Sequence, residues 1–211
     1  MHKIIIIVFI TLFSLNTTAQ YQGYTTVKDT AAFRVKFMST AKSINSIKSD
    51  FTQEKNMNIL SEKITSKGKF WFKKEDRVRM EYISPYQYLL VINKNDVTMK
   101  DGQKTNKFSA KSNKLFQQIS RLTVDCIQGT AFANPDFKIR IFENSSSFLI
   151  EMNPVTGGLK EYFSSINIEV SKRDYSVLSI DMREQGGDNT LMRFSNKELN
   201  SDIPDAVFVV H

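Results

Sequence analysis

Histidine and cysteine are almost missing from this 211-residue chain: His2 and His211 stand at its two ends, and Cys126 is alone. That removes the usual general base and the commonest metal ligand. A zinc or copper site built from nitrogen and sulfur ligands has no material, and a lone cysteine closes no intramolecular disulfide. Burial in a helix is the expected place of Cys126. The eight glycines are scattered at turns and the four prolines mark no linker. Neither a G-x-S-x-G, an H-E-x-x-H, a P-loop nor a G-x-G-x-x-G occurs. No cofactor is called for. Paired carboxylates drawn from Glu75, Asp76, Glu81, Glu143 and Glu184 are not demanded by any spacing, and these residues fall on polar phases or turns where a charge is simply solvated.

Long hydrophobic runs are also lacking, with one exception. Lys3 precedes Ile4 to Leu15, and small polar residues Asn16 to Ala19 follow. This is the pattern of a secretory signal peptide, and it is shorter than the roughly 20 apolar residues needed to span a bilayer. Cleavage after Ala19 is expected, giving a signal over 1–19 and one domain over 20–211. Gln20 stands where a bacterial lipoprotein would need a cysteine to acylate. An exported protein of the periplasm is the expectation.

Acidic charge is the minority: 29 Lys and Arg face 22 Asp and Glu, a formal net charge of +7 that falls by one when Lys3 leaves. The lysines are isolated, which reads as a solvated basic face or as weak attraction to anionic lipid headgroups. The stretch Lys67 to Lys74 has the basic and aromatic composition of a nucleic-acid contact, but export argues against that partner. Its plainer reading is a strand with lysines at its ends.

What the chain does have is alternation. Asp29 can cap a helix to about Ser43 with Phe33, Phe37, Ala41 and Ile44 on one stripe. Strands follow at Ile47 to Glu54 and Ile64 to Lys73, where Phe70 and Phe72 share a face although Trp71 is apolar too. Val78, Met80 and Tyr82 then oppose Arg77, Arg79 and Glu81 up to Ser84-Pro85. Tyr88 to Asn93 and Asp96 to Lys100 form a hairpin around Lys94-Asn95, and Asp101-Gly102 opens another before Lys104 to Phe108. A second helix is expected from Ser112 to Ile127, with Leu115, Phe116, Ile119 and Leu122 on its stripe. Strands return around Phe137 to Ile141, Phe148 to Met152, Ile166 to Val170, Val177 to Arg183 and Asn189 to Phe194, and the chain ends on a strand at Phe208 to Val210. About eleven strands with tight turns imply one large curled antiparallel sheet, not a βαβ fold.

Within Ser46 to Gly102 stand Ser46-Ile-Lys-Ser-Asp-Phe-Thr-Gln53, Gly68-Lys-Phe-Trp-Phe-Lys-Lys74, Arg79-Met-Glu-Tyr82 and Pro85. These residues resemble the LolA family of lipoprotein carriers, whose members carry a Phe-x-Gln strand, a Gly-led aromatic strand ending in Lys-Arg-Pro, and a later Asp-Gly hairpin. The resemblance implies a mainly β fold with α-helices: a half-open, unclosed antiparallel β-barrel of about eleven strands under a helical lid. It implies a monomer that takes acylated lipoproteins or other lipid cargo from an inner-membrane release complex to an outer-membrane acceptor. The expected acyl-chain cavity is bordered by Phe51, Phe70, Phe72, Val78, Met80, Tyr82, Leu89, Val91, Met99, Leu115, Ile119, Ile150 and Ile168. Met80, Met99, Met152 and Met182 suit a variable greasy ligand, and serve a plain core equally well. Where the family has arginine and proline, this chain has Lys74-Glu75, so the lid latch falls to Lys74, which lacks the planar guanidinium fork. The proline-containing tail of better-known members is also missing. Three function classes stay open: a lipoprotein carrier, a periplasmic lipid-binding or sensor module on the same fold, and a lipid hydrolase, the last disfavoured by the missing histidine.

Overall fold

Alternating side chains oblige a strand to bury one face, and here twelve strands do so within one antiparallel sheet. A computed structural model describes residues 21–59, 61–109, 112, 130–156 and 158–210. The strands are β1 Thr25–Thr26, β2 Ser46–Met57, β3 Glu62–Lys73, β4 Arg77–Ser84, β5 Tyr88–Asn93, β6 Asp96–Asp101, β7 Lys104–Ser109, β8 Phe137–Glu143, β9 Ser147–Pro154, β10 Phe163–Ser171, β11 Val177–Glu184 and β12 Asn189–Leu199. Their order is β1-β8-β9-β10-β11-β12-β2-β3-β4-β5-β6-β7. Two meanders are thus joined where β12 pairs β2, while β1 and β7 end the sheet without meeting. This is an unclosed, half-open barrel.

The expected count of about eleven rises to twelve through β1, two residues inside a stretch that reads as polar. Thr25 and Thr26 pair with Glu143 and Phe142 and so cover part of the edge of β8. Gly158 leads into one helical turn, α2, Leu159–Tyr162. One further local expectation is corrected. The ending at Phe208 to Val210 is not a strand: Asp205–Phe208 is a 3₁₀ turn. Burial decides this, because Phe208 is only 2% exposed and packs with Val91 and Ile203, which a ladder partner would not require.

The tight turns carry residues in left-handed backbone. Lys94 between β5 and β6 has φ +58° and Gly102 between β6 and β7 has φ +56°. Short hairpins of this kind keep successive strands antiparallel.

α1, Thr30–Ser43, begins where the Asp29 carboxylate accepts a hydrogen bond from the Ala32 amide at 2.9 Å. Phe33, Phe37 and Ala41 recur every fourth residue and are buried. They lie on the face of the sheet that carries Ile141, Ile150, Met152, Ile166, Ile168 and Val170. Register continues this inner face across the sheet, through Met192, Phe51, Phe70, Phe72, Val78 and Ile92.

The outer face has its own cover. Trp71, Leu89 and Val91 pack beneath Ile203, Val207 and Phe208. Cations from β3 and β4 hold that segment in place: Lys73 Nζ donates to the Ile203 carbonyl at 2.7 Å, Arg79 to the Val207 carbonyl at 3.1 Å, and Arg77 pairs with Asp205 at 2.6 Å. Arg79 also lies over the Trp71 ring, 5.7 Å from its centroid. At the other end of the sheet, Tyr21 donates to the buried Glu151 at 2.8 Å and Tyr24 to Glu169 at 3.1 Å, strapping the segment before α1 onto the outside.

Gly68 fits between the two halves of this packing. A methyl group there would run into the Glu81 carbonyl and come within 2.6 Å of the Phe51 ring. Gly68→Ala is expected to lower stability by about 1–3 kcal/mol through overpacking. Gly186→Ala, with nothing within 4 Å of its Cβ, should stay within about 0.5 kcal/mol. Urea unfolding of both variants checks this, and an unperturbed Gly68→Ala would contradict the packing of Phe51 described here.

Candidate functional site

Among the described residues, α1 lies on the inner face with Phe33, Phe37 and Ala41, which cover part of it. At its N-terminal end the helix is anchored, with the Phe33 ring 4.5 Å from Phe148 and 6.2 Å from Tyr175. Further along, helix and sheet part. A partly enclosed cavity of about 50 Å³ lies there, lined from α1 and its end by Phe37, Ala41 and Ile44, and from the sheet by Ile47, Phe70, Ile180, Phe194 and Leu199 among others. Its walls are mainly hydrocarbon. The side chains with polar atoms among those that line it are Ser49, Tyr175, Ser176 and Lys197.

Sites that hold drug-sized ligands measure about 300–1,000 Å³, so this space as it stands is much smaller than such a site. What holds the C-terminal end of α1 is part of the site. Lys74 Nζ donates to the Lys42 carbonyl at 2.7 Å, in the last turn of the helix. Its backbone amide donates to the Asn45 carbonyl at 2.8 Å. Asn200, at φ +59°, grips the same end, donating to the Ser43 carbonyl at 3.2 Å and accepting from the Asn45 amide at 2.6 Å. An ammonium beside free carbonyls at a helix C-terminus also answers the negative end of the helix dipole.

Of the residues expected at the cavity, Phe70 lines it directly. Phe51, Phe72, Val78, Met80 and Tyr82 form the adjoining cluster on the same face. Met99 shares that face, being opposite Leu90, which is opposite Met80. Ile150 and Ile168 are packed core beneath α1. Leu89 and Val91 are a correction. They pair with Glu81 and Arg79 and point to the outer face, against Ile203 and Phe208. Leu115 and Ile119, with Cys126 and the helix expected over them, lie outside the described residues. Ile47, Ser49, Ile180, Phe194, Lys197 and Leu199 were not expected at the cavity. Ile180 and Phe194 carry a period-2 signal, whereas Lys197 is brought in by a bulge that no apolar pattern marks.

Tyr82 closes the far side of the inner face, its hydroxyl donating to Gln53 Oε1 at 2.9 Å and its ring 4.9 Å from that of Phe51. Burial pushes the Tyr82 hydroxyl up to about 12, with the neighbouring Tyr88 adding to it. Lys197 shows the opposite effect of burial on a cation: desolvation lowers its proton affinity, Asp174 opposes that and Arg173 adds to it. Among the described residues no group of three or more His, Cys, Asp or Glu could hold a metal ion, and no helix is long and apolar enough to cross a membrane.

The family model for the outer membrane lipoprotein carrier protein LolA matches residues 42–211. The chain belongs to the LolA family. Solved structures similar to this LolA-family chain include a LolA superfamily protein from Nitrosomonas europaea, 10% identical, covering 84% of this chain and 97% of that one, with a TM-score of 0.47. A conserved protein from Thermus thermophilus is 9% identical over 85% of this chain and 93% of that one, TM-score 0.51. MucB is 11% identical over 86% of this chain and 62% of its own, TM-score 0.51. At these identities the likeness is one of fold. No curated protein matches the sequence significantly. The LolA match begins at Lys42, so most of α1 precedes it while both residues of the Lys74 contact fall within it.

If Lys74 holds the end of α1, its removal frees that end first. Lys74→Leu is expected to speed amide exchange in the last turn of α1 about fivefold, the loss of a partly solvated hydrogen bond worth about 1 kcal/mol. Lys74→Arg should stay within about twofold of the parent, since it can still donate. Equal exchange in all three proteins would show that the contact holds nothing.

Proposed function

We propose that this protein is a periplasmic carrier that binds the acyl chains of lipoproteins between α1 and the inner face of its sheet and conveys them from the inner to the outer membrane. One observation carries the reading: the space under α1 is walled mainly by hydrocarbon, from Phe37, Ala41 and Ile44 on the helix side and Ile47, Phe70, Ile180, Phe194 and Leu199 on the sheet side. Such a surface gains about 25 cal/mol for each Å² of hydrocarbon it removes from water, and offers little to a polar ligand. Membership of the LolA family supports the same cargo, with an inner-membrane complex to load it and an outer-membrane acceptor to receive it.

Loading follows from the mechanics of the site. The cavity as it stands is too small for a chain, so cargo must bind a form in which α1 has lifted, and it shifts the population by its preference for that form and no more. Lys74 and Asn200 set the balance by holding the C-terminal end of α1, while Phe33 keeps the other end seated on Phe148. The helix then swings instead of detaching. Lys74 serves in this reading as the latch.

A charge placed in the cavity wall tests it. Ile180→Glu should weaken binding of a fluorescent acyl probe at least tenfold, because a carboxylate buried there loses solvation worth several kcal/mol or must take up a proton. Val209→Glu, at a position 46% exposed outside the cavity, should leave affinity unchanged. Undiminished binding by a folded Ile180→Glu protein would place the acyl chain elsewhere.

A further inference from the structure

The pairing of β12 with β2 slips by one residue beside the cavity. Ser195 stands opposite Asp50 and Glu198 opposite Lys48, so Asn196 and Lys197 together face Ser49. Asn196 takes φ +51° to absorb the extra residue. Its side chain stays outside, donating to Asp50 at 2.8 Å, and Glu198 pairs outside with Lys48 at 3.1 Å. Lys197 alone is turned inward. Bulges commonly re-aim a side chain in this way.

The ammonium so placed is half-buried and held from one strand end. Lys197 Nζ donates to Ser176 Oγ at 2.5 Å and to the Val177 carbonyl at 2.9 Å, which uses two of its three hydrogens. Among the described residues no carboxylate lies within ion-pair distance of it. Asp174, the nearest acidic influence, is engaged by the Ser176 hydroxyl at 2.7 Å and the Ser176 amide at 3.1 Å. Across the bulge, Ser49 is 3% exposed, and its Oγ has no hydrogen-bond partner among the described residues. Leaving a buried hydroxyl unmatched is destabilising. Both groups line the same cavity, whose other walls are mainly hydrocarbon.

We propose that Lys197 and Ser49 form a head-group site for a carboxylate, so that the cavity takes a long-chain fatty acid with its chain along Ile47, Phe70, Ile180 and Phe194. The inference rests on the acyl-binding reading above and adds to it the charge and position of the head. A carboxylate has two oxygens, one for the third Lys197 hydrogen and one for the Ser49 hydroxyl, and it sets a negative charge directly against the half-buried ammonium, which otherwise meets Asp174 only across Ser176. Such charge-assisted bonds are about twice as strong as neutral ones. The lowered proton affinity of Lys197, caused mainly by desolvation, is relieved by that partner. Ester and amide carbonyls on an acylated protein accept hydrogen bonds but bring no charge, so they satisfy this pole only in part.

Displacement of a fluorescent acyl probe by palmitate and by methyl palmitate, both below their aggregation limits, reads the head group separately from the chain. The parent protein should bind palmitate at least tenfold more tightly than the ester. Lys197→Met should erase that preference while keeping ester binding within about twofold, and Ser49→Ala should reduce it about threefold. Equal affinity of the parent for acid and ester, or a preference that survives Lys197→Met, would overturn the head-group site and leave acyl binding standing. Should the parent bind neither ligand, the acyl-binding reading falls with it. Urea unfolding of each variant establishes that it is folded, and Ser49→Ala, which only removes an unmatched hydroxyl, provides the second arm if Lys197→Met is unstable.

Discussion

The seating of α1 on the inner face of the sheet is the contact on which the site depends. Among the described residues, the twelve strands present more apolar surface than the fourteen-residue helix covers with Phe33, Phe37 and Ala41. Where the stripe meets Phe148, Ile150 and Ile168 the packing is closed. Beyond Phe37 the helix spans a gap instead of filling it. Among the described residues, the cavity follows from the shortness of the apolar stripe on α1.

The outer face makes that gap tolerable. Sheet geometry near the cavity is fixed from outside, by Trp71, Leu89 and Val91 beneath Phe208, and by Lys73, Arg77 and Arg79 gripping the backbone and Asp205 of the final segment. These cations are partly exposed, and each such pair contributes little alone. Together they define one position for the segment that covers the aromatic and aliphatic side chains behind β3 to β5. Among the described residues, helix and sheet are held by different means: the sheet by ladders and an outer layer, the helix by packing of Phe33 on Phe148 at one end and by Lys74 and Asn200 at the other. An element held in that way can move while the sheet does not.

Much of this was legible in the residues. β4 alternates Val78, Met80, Tyr82 against Arg77, Arg79, Glu81 without exception, and its inner face is assigned as the pattern requires. α1 could be bounded from Asp29 and its four-residue spacing. β5 was different: Tyr88 to Ile92 is apolar at every position, so a period-2 argument has no phase to read, and Leu89 and Val91 fall on the side opposite to expectation. The final segment looked like a strand because Val and Phe favour strands, yet packing of Phe208 on the outer face overrides that preference. Lys197 could not be found from pattern at all. Strict alternation continued from Phe194 would turn Asn196 inward and Lys197 outward, and the bulge at Asn196 reverses them. Only asparagine's tolerance of left-handed backbone hints at it.

Whether α1 lifts from the sheet when cargo binds is the question that most directly tests this account. Spin labels at Val35, on the solvent side of α1 and 70% exposed, and at Arg193, on the outer face of β12, measure the separation of helix and sheet across the cavity by electron-electron resonance, with Cys126 replaced by serine. Adding an acyl ligand should move the distribution to longer distance, while the same ligand added to a labelled Ile180→Glu protein should not. An unchanged distance in a protein shown to have bound the ligand would mean that the chain lies somewhere other than under α1.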